Sequence, residues 1–366
     1  MLVPIIVGGA LGLSPTQLAY LIAIDLSTCG LATLLQMWRN KYFGIGLPVV
    51  LGTSFVSVTP MITLGKEYGI TSIYGAIIVT GLVIVLFAKY FSHIIKLFPP
   101  VVTGTVVMII GLSLIPTGVK NMAGGASSPH FGSAQNLILS IATLGIILII
   151  QYFGKGFWRS IAVLVGIFVG TVISSFMNPL NFTTVKEASW AHFPTPFFFG
   201  IPQFDIVPII TMLIVGIVIM IESTGAFLAL GDITNKKLTP QDFEKGYRAE
   251  GLAFMLGGIF NAFPYSTFAQ NVGLVQMSGV RNRKVTIAAG LILVLLGLVP
   301  KIAALATLIP TAVLGGATVV MFGMIVSSGI KMLTTVDFTN QNNLLIIAIS
   351  ISLGLGTTVV PELFSS

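Results

Sequence analysis

Three polar side chains stand where an apolar chain has little use for them. Glu222 lies in IVIMIESTGAFLALG, and Gln270-Asn271 interrupt the stretch from Asn261 to Lys284, NAFPYSTFAQNVGLVQMSGVRNRK. An uncompensated polar group in hydrocarbon is costly, and non-helical backbone at that depth is tolerated only when buried in protein or beside a water-filled cavity. Each amide brings a donor and an acceptor. A carboxyl buried in a span is a functional group by default. Together they suit a small, flat, neutral ligand with N–H and C=O groups on its edges. Phe55 and Phe268 could offer ring faces, and stacking on a heterocycle is worth about 1–3 kcal/mol. Blander roles stay open: an amide pair joining two helices, a structural acid bonded to a nearby Ser, and phenylalanines packed against core or lipid.

Those residues need a membrane to sit in, and composition supplies it. The chain has 366 residues, 55% hydrophobic and 8% charged, where a soluble domain carries about 25% charge. It reads as a polytopic membrane protein without a soluble domain. The net charge of +7 is scattered through short loops, so it does not indicate nucleic acid. One cysteine, Cys29, excludes an intrachain disulfide and a cysteine-rich metal site. His93, His130 and His192 show no ligand spacing, so no metal and no cofactor are expected, and no paired His and acids suggest a membrane enzyme. Met1 opens directly into apolar sequence, so no cleavable signal is expected.

Apolar runs give thirteen segments, the first partial. Leu2 to Leu13 is too short for a full span. Gln17 to Trp38 follows, with Asp25 buried in it; nothing around Asp25 suggests a ligand, and a structural role is at least as open. Gly44 to Gly65 contains Pro48, Gly52, Thr53-Ser54 and Pro60, and reads as broken. Tyr265 to Gly279 reads as broken too, between Pro264 and the glycines that follow. Asp232 to Tyr247, the most charged stretch, reads as a loop, and Glu250 opens a short helix after it. There Glu250 could favour the helix dipole or Arg248, or take part in gating or coupling. With the Arg39–Lys41 loop inside, fourteen of the eighteen Lys and Arg fall on the cytoplasmic side.

The chain also repeats itself. Thr53-Ser54-Phe55 matches Ser266-Thr267-Phe268 at an offset of 213, and Pro99-x-x-Val102-x-Gly104 matches Pro310-x-x-Val313-x-Gly315 at 211. Val106-Val107-Met108 matches Val319-Val320-Met321 at 213. Seven segments lie between the matched elements, so the halves are expected to be inverted. Inverted repeats with paired broken helices are a signature of secondary transporters.

At Gln270-Asn271-Val272-Gly273 to Gly279, with Phe263-Pro264 before it and Glu222-Ser223-Thr224-Gly225 upstream, the sequence resembles the nucleobase–ascorbate transporter family, and within it the bacterial xanthine permeases. The resemblance covers nearly the whole chain; Ser278 stands where the family usually has Thr. It implies an all-α polytopic membrane protein with a seven-plus-seven inverted repeat, whose two broken spans carry short β-strands. The first span would be partial here and the last absent. Residues 1–89 and 205–309 would form a core domain, and 90–204 and 310–366 a gate, truncated at its end. Carried over, Glu222 and Gln270 would bind the base through side chains, and Phe55 and Ala269 through backbone. Asn271 would support the site and Phe268 would shape specificity. Glu250, where the family commonly has Asp, would join Glu222 in coupling or gating. Ala226 replaces a polar residue found in many relatives. The implied activity is purine import, xanthine first, by symport with a proton rather than sodium. It would run through an elevator-like motion in a bacterial cytoplasmic membrane, and the gate would form a homodimer. Alternatives are a urate, guanine/hypoxanthine or uracil permease, an anion carrier of the same fold, and a truncated, non-transporting form.

Overall fold

The computed structural model describes residues 2–94, 99–125, 128–177, 182–191, 193–268, 271, 272, 275 and 279–359, without the side chains of residues 94 and 357–359. In chain order come α1 (Leu2–Ala10), α2 (Pro15–Met37), β1 (Leu51–Thr53), a 3-10 turn (Phe55–Ser57), α3 (Val58–Glu67), α4 (Ile70–Ile94) and α5 (Pro100–Met122). Then follow α6 (Ala134–Phe153), α7 (Phe157–Ser160), α8 (Ala162–Met177), α9 (Thr183–Glu187), α10 (Ile206–Ile233) and α11 (Pro240–Ile259). After β2 (Tyr265–Thr267) come α12 (Arg283–Gly297), α13 (Pro300–Leu305), α14 (Thr311–Leu333) and α15 (Gln341–Val359).

Six described helices (α2, α4, α5, α6, α10 and α14) are long and apolar enough to cross a membrane. Arg283–Gly297 and Pro300–Leu308, bent by 83°, make a seventh if taken as one span. The sequence predicts more segments because it counts every apolar run. Several of these prove short: α1 has 9 residues, α3 has 10 and α8 has 16. Local chemistry sets the starts. Ser14 and Gln17 form a capping box before α2, with Pro15 in its first turn. The predicted loop from Asp232 to Tyr247 is only partly a loop. Thr239 and Asp242 form a second capping box, and Pro240 opens α11 there, so the charged residues 240–247 are helical.

The chain divides into two compact units, Met1–Leu97 with Phe182–Thr307, and Phe98–Asn181 with Leu308–Ser366. The sequence puts the breaks at 89/90, 204/205 and 309/310. The largest difference is the aromatic stretch before α10, which the first unit holds by backbone bonds. Phe197 N donates to Ile259 O at 2.9 Å and Gln203 N to Thr71 O at 3.2 Å. Phe199 N donates to Asn261 Oδ1 at 3.1 Å, and Tyr20 stacks on Phe198 at 3.7 Å.

In both units helices approach closely at glycine, as expected where backbones must meet without a hydrophobic driving force. In the first, a Cβ on Gly81 of α4 would lie 2.6 Å from the Gly251 carbonyl of α11, and one on Gly251 would lie 2.7 Å from the Gly81 carbonyl. In the second, a Cβ on Gly329 of α14 would lie 2.8 Å from the Gly104 carbonyl of α5.

β1 and β2 pair antiparallel inside the first unit, with Leu51 opposite Thr267, Gly52 opposite Ser266 and Thr53 opposite Tyr265. The ladder runs on through Ser54 N to Pro264 O at 2.9 Å and Phe268 N to Val50 O at 3.0 Å. A two-stranded sheet leaves two unpaired edges, and side chains of the neighbouring helices meet part of each. Leu51 N donates to Thr33 Oγ1 at 3.1 Å, and the Cys29 thiol donates to Leu51 O at 2.7 Å. On the other edge Thr267 N donates to Ser223 Oγ at 3.2 Å. These bonds offset part of the cost of enclosing this backbone among apolar helices.

Candidate functional site

Alternation along the strands sorts the site into two faces. Gly52, Ser54, Ser266 and Phe268 share one. There the Ser54 hydroxyl donates to Glu222 Oε2 at 3.5 Å, a long contact, and the Ser266 hydroxyl also bonds the Glu222 carboxyl. Glu222 sits within α10, half-buried. The Phe268 ring lies over Gly52, where a Cβ would come within 2.4 Å of it. Phe55 is buried, with its ring centroid 6.4 Å from that of Phe268. A half-buried carboxyl, two hydroxyls and two rings thus gather where both broken spans meet.

Leu51, Thr53, Tyr265 and Thr267 share the opposite face. The Thr267 hydroxyl donates to Glu250 Oε1 at 2.9 Å. Glu250 is fully buried, and its Oε2 has no hydrogen-bond partner among the described residues. The Thr53 hydroxyl donates to Asp25 Oδ1 and Oδ2 at 2.8 and 2.9 Å, and the Tyr265 hydroxyl reaches Asp25 Oδ1 at 3.1 Å. Tyr265 also bonds the Thr28 hydroxyl.

The structure brings Glu222, Phe55 and Phe268 together on the front face and puts Glu250 behind it. Asn271 bonds both broken spans: its Nδ2 donates to Pro48 O at 2.9 Å and its N–H to Phe268 O at 3.0 Å. Ala269 and Gln270, and with them Gly273 and Ser278 of the motif, lie outside the described residues. Sequence reasoning missed the hydroxyl partners Ser54, Ser266, Thr267 and Ser223, and it gave Asp25 a structural role without partners. The signal available for them was the run of Ser and Thr in both broken spans. An apolar recess lined by Leu31, Leu34, Leu35, Trp38, Leu256 and Ile287 lies elsewhere in the same unit. It lacks acceptors for a polar ring.

Among the described residues, no group of His, Cys, Asp and Glu could hold a metal ion. The fold matches the transmembrane domain of the cyanobacterial bicarbonate transporter BicA, with a TM-score of 0.71 over 98% of this chain and 93% of that one, at 17% identity. It is a membrane transporter fold. The particular family follows from sequence: the Permease family model for xanthine and uric acid permeases matches residues 1–363, and the chain belongs to that nucleobase–ascorbate transporter family. It is 59% identical to the uric acid permease PucK of Bacillus subtilis, over 100% of this chain and 85% of PucK. It is 54% identical to the xanthine permease of the same organism, over 100% of this chain and 83% of that one. With the Escherichia coli uric acid transporter UacT it shares 45% identity, over 99% of this chain and 76% of UacT. These relatives are transporters, not enzymes.

Proposed function

We propose that the chain imports an oxidised purine, urate or xanthine, across a bacterial cytoplasmic membrane together with a proton. The observation that carries the reading is the Glu222 carboxyl facing the crossing of two short strands, beside two aromatic rings. Residue chemistry alone suits a small, flat heterocycle, and the family resemblance puts xanthine first. The uric acid permeases at 59% and 58% identity put urate beside it. In this reading Glu222 and Gln270 hold the edge of the base, and backbone groups of Phe55 and Ala269 complete its contacts. Asn271 steadies the loop, Phe268 shapes selectivity, and Glu250 acts in coupling. The two broken spans belong to a seven-plus-seven inverted repeat, and the 98–181 and 308–366 unit is the gate through which two copies pair.

Charge explains why a proton would travel with urate. A urate monoanion and a carboxylate repel at hydrogen-bond distance. A proton held by Glu222 removes the repulsion and makes the acid a donor to the base. Uptake of radiolabelled urate and xanthine, in cells lacking their own purine permeases, tests this. Wild type is expected to accumulate at least one of them, faster as external pH falls. Glu222→Gln, at equal membrane level, is expected to lose accumulation. Proton-driven accumulation by that variant would refute the role of Glu222, and absence of any purine uptake by the wild type would refute the function.

A further inference from the structure

Asp25 has no place in the reading above, yet it is 2% exposed and lies in the middle of a spanning helix. Burying a carboxyl in such a helix is costly, so its surroundings must compensate. It meets Thr53 and Tyr265, the two residues that face each other across the strand pair. One acid thereby bonds both strands at a single rung.

The same side of α2 continues the contact. Thr28 bonds Tyr265, Cys29 bonds Leu51 O, and Thr33 accepts from Leu51 N. One turn further on, Gln36 accepts from Ile45 N at 3.2 Å and donates to Gly246 O at 2.8 Å. The spacing i, i+3, i+4, i+8 and i+11 keeps all five side chains on one helical face. α2 thus lies along the broken span as a polar rail, and Asp25 is the charge-capable group at its end nearest the site.

We propose that Asp25 is a positioning residue for the substrate site. It touches no substrate. It fixes Thr53 and Tyr265, and through the pleat it fixes their neighbours Ser54 and Ser266, the two hydroxyls that meet Glu222 on the front face. Glu250 does the same for Thr267, so the sheet is held from behind by two acids, each accepting a Thr hydroxyl. Loss of the Asp25 contacts would let the hydroxyls drift from Glu222 and weaken recognition of the purine before it stops the protein from folding. This rests on the functional reading of the front face.

The test pairs two measurements on Asp25→Asn and on Tyr265→Phe, the second kept in case the first does not reach the membrane. One is purine uptake resolved into half-saturation concentration and maximal rate per transporter. The other is alkylation of Cys29, the chain's single cysteine, whose thiol lies between α2 and β1 and reports whether they part. Half-saturation is expected to rise about tenfold, the loss of a hydrogen bond's worth of positioning, with maximal rate per transporter changed far less. Alkylation is expected to quicken in the same variants. An unchanged half-saturation with uptake falling only in step with membrane level would overturn the proposal, as would unchanged alkylation. If the wild type moves no purine, the functional reading fails instead. Alkylation then decides alone: faster labelling keeps Asp25 as the group that sets the strands, and equal labelling removes it.

Discussion

Gly52 shows how a missing side chain can shape a site. The Phe268 ring occupies the space a Cβ would need, so any other residue there must push the ring away. Gly52→Ala is expected to reach the membrane yet change which purines compete for uptake, because it moves Phe268 without touching Glu222. An unaltered competition profile would show that Phe268 does not line the purine. At this scale the sequence was readable in kind and not in direction. Glu222 and the Gln270-Asn271 pair stood out because intramembrane polar groups are costly. Which face Thr53, Ser54, Ser266 and Thr267 would take depended on a strand register between residues more than 200 positions apart, and no local pattern specifies that. Asp25 stood out as an intramembrane acid, but its partners were hidden for the same reason: Tyr265 reaches it across 240 positions.

The helices were more legible, since apolar runs and prolines mark them directly. Both breaks were visible at Pro48 with Gly52 and at Pro264. The start of α11 was written in Thr239-Pro240-Gln241-Asp242, a cap with Pro in the first turn, but its charge made it read as a loop. Helix contacts were hidden, because a glycine in an apolar run does not say what it meets. Gly81 and Gly251 meet each other's backbone, and a methyl on either would press on a carbonyl and an amide nitrogen that cannot swing aside as a side chain can. Gly81→Ala and Gly251→Ala are each expected to cost about 1–3 kcal/mol, the usual penalty of overpacking. The readout is a lower melting temperature in detergent. Melting temperatures equal to wild type would mean that α4 and α11 can part without cost.

At the scale of the whole molecule, each unit is assembled from two distant stretches of chain, and charge helps to join those of the first. Asp242 lies 3.5 Å from Arg39 and 3.6 Å from Lys236, and the Lys236 ammonium donates to Ile45 O at 3.0 Å. Burial alone would raise the Asp242 carboxyl. Hydrogen bonds from the Thr239 N–H and hydroxyl, with the charges of Lys236 and Arg39, outweigh it and hold the group below its usual value. The unfolded chain then binds the proton more readily than the folded one. The stability Asp242 contributes is complete above the unfolded value of about 3.9 and is lost as pH falls through the lower folded value. Melting temperatures taken from about pH 6 down to about pH 3 are expected to fall less steeply for Asp242→Asn than for wild type. Parallel curves would show that Asp242 does not link the two stretches.

The pairing of the two short strands also gives the site a parity. Every residue's face follows from whether its position is odd or even along the strand. One residue inserted between Pro48 and Thr53 would turn the strand over. The Thr53 hydroxyl would turn to the face of Glu222, and Ser54 would turn to the opposite face, while each helix stayed in place. Two residues inserted there would return every side chain to its original face, two positions further along the strand. This segment can therefore change length only in even steps, which makes it a counting rule for the chain as much as a binding site.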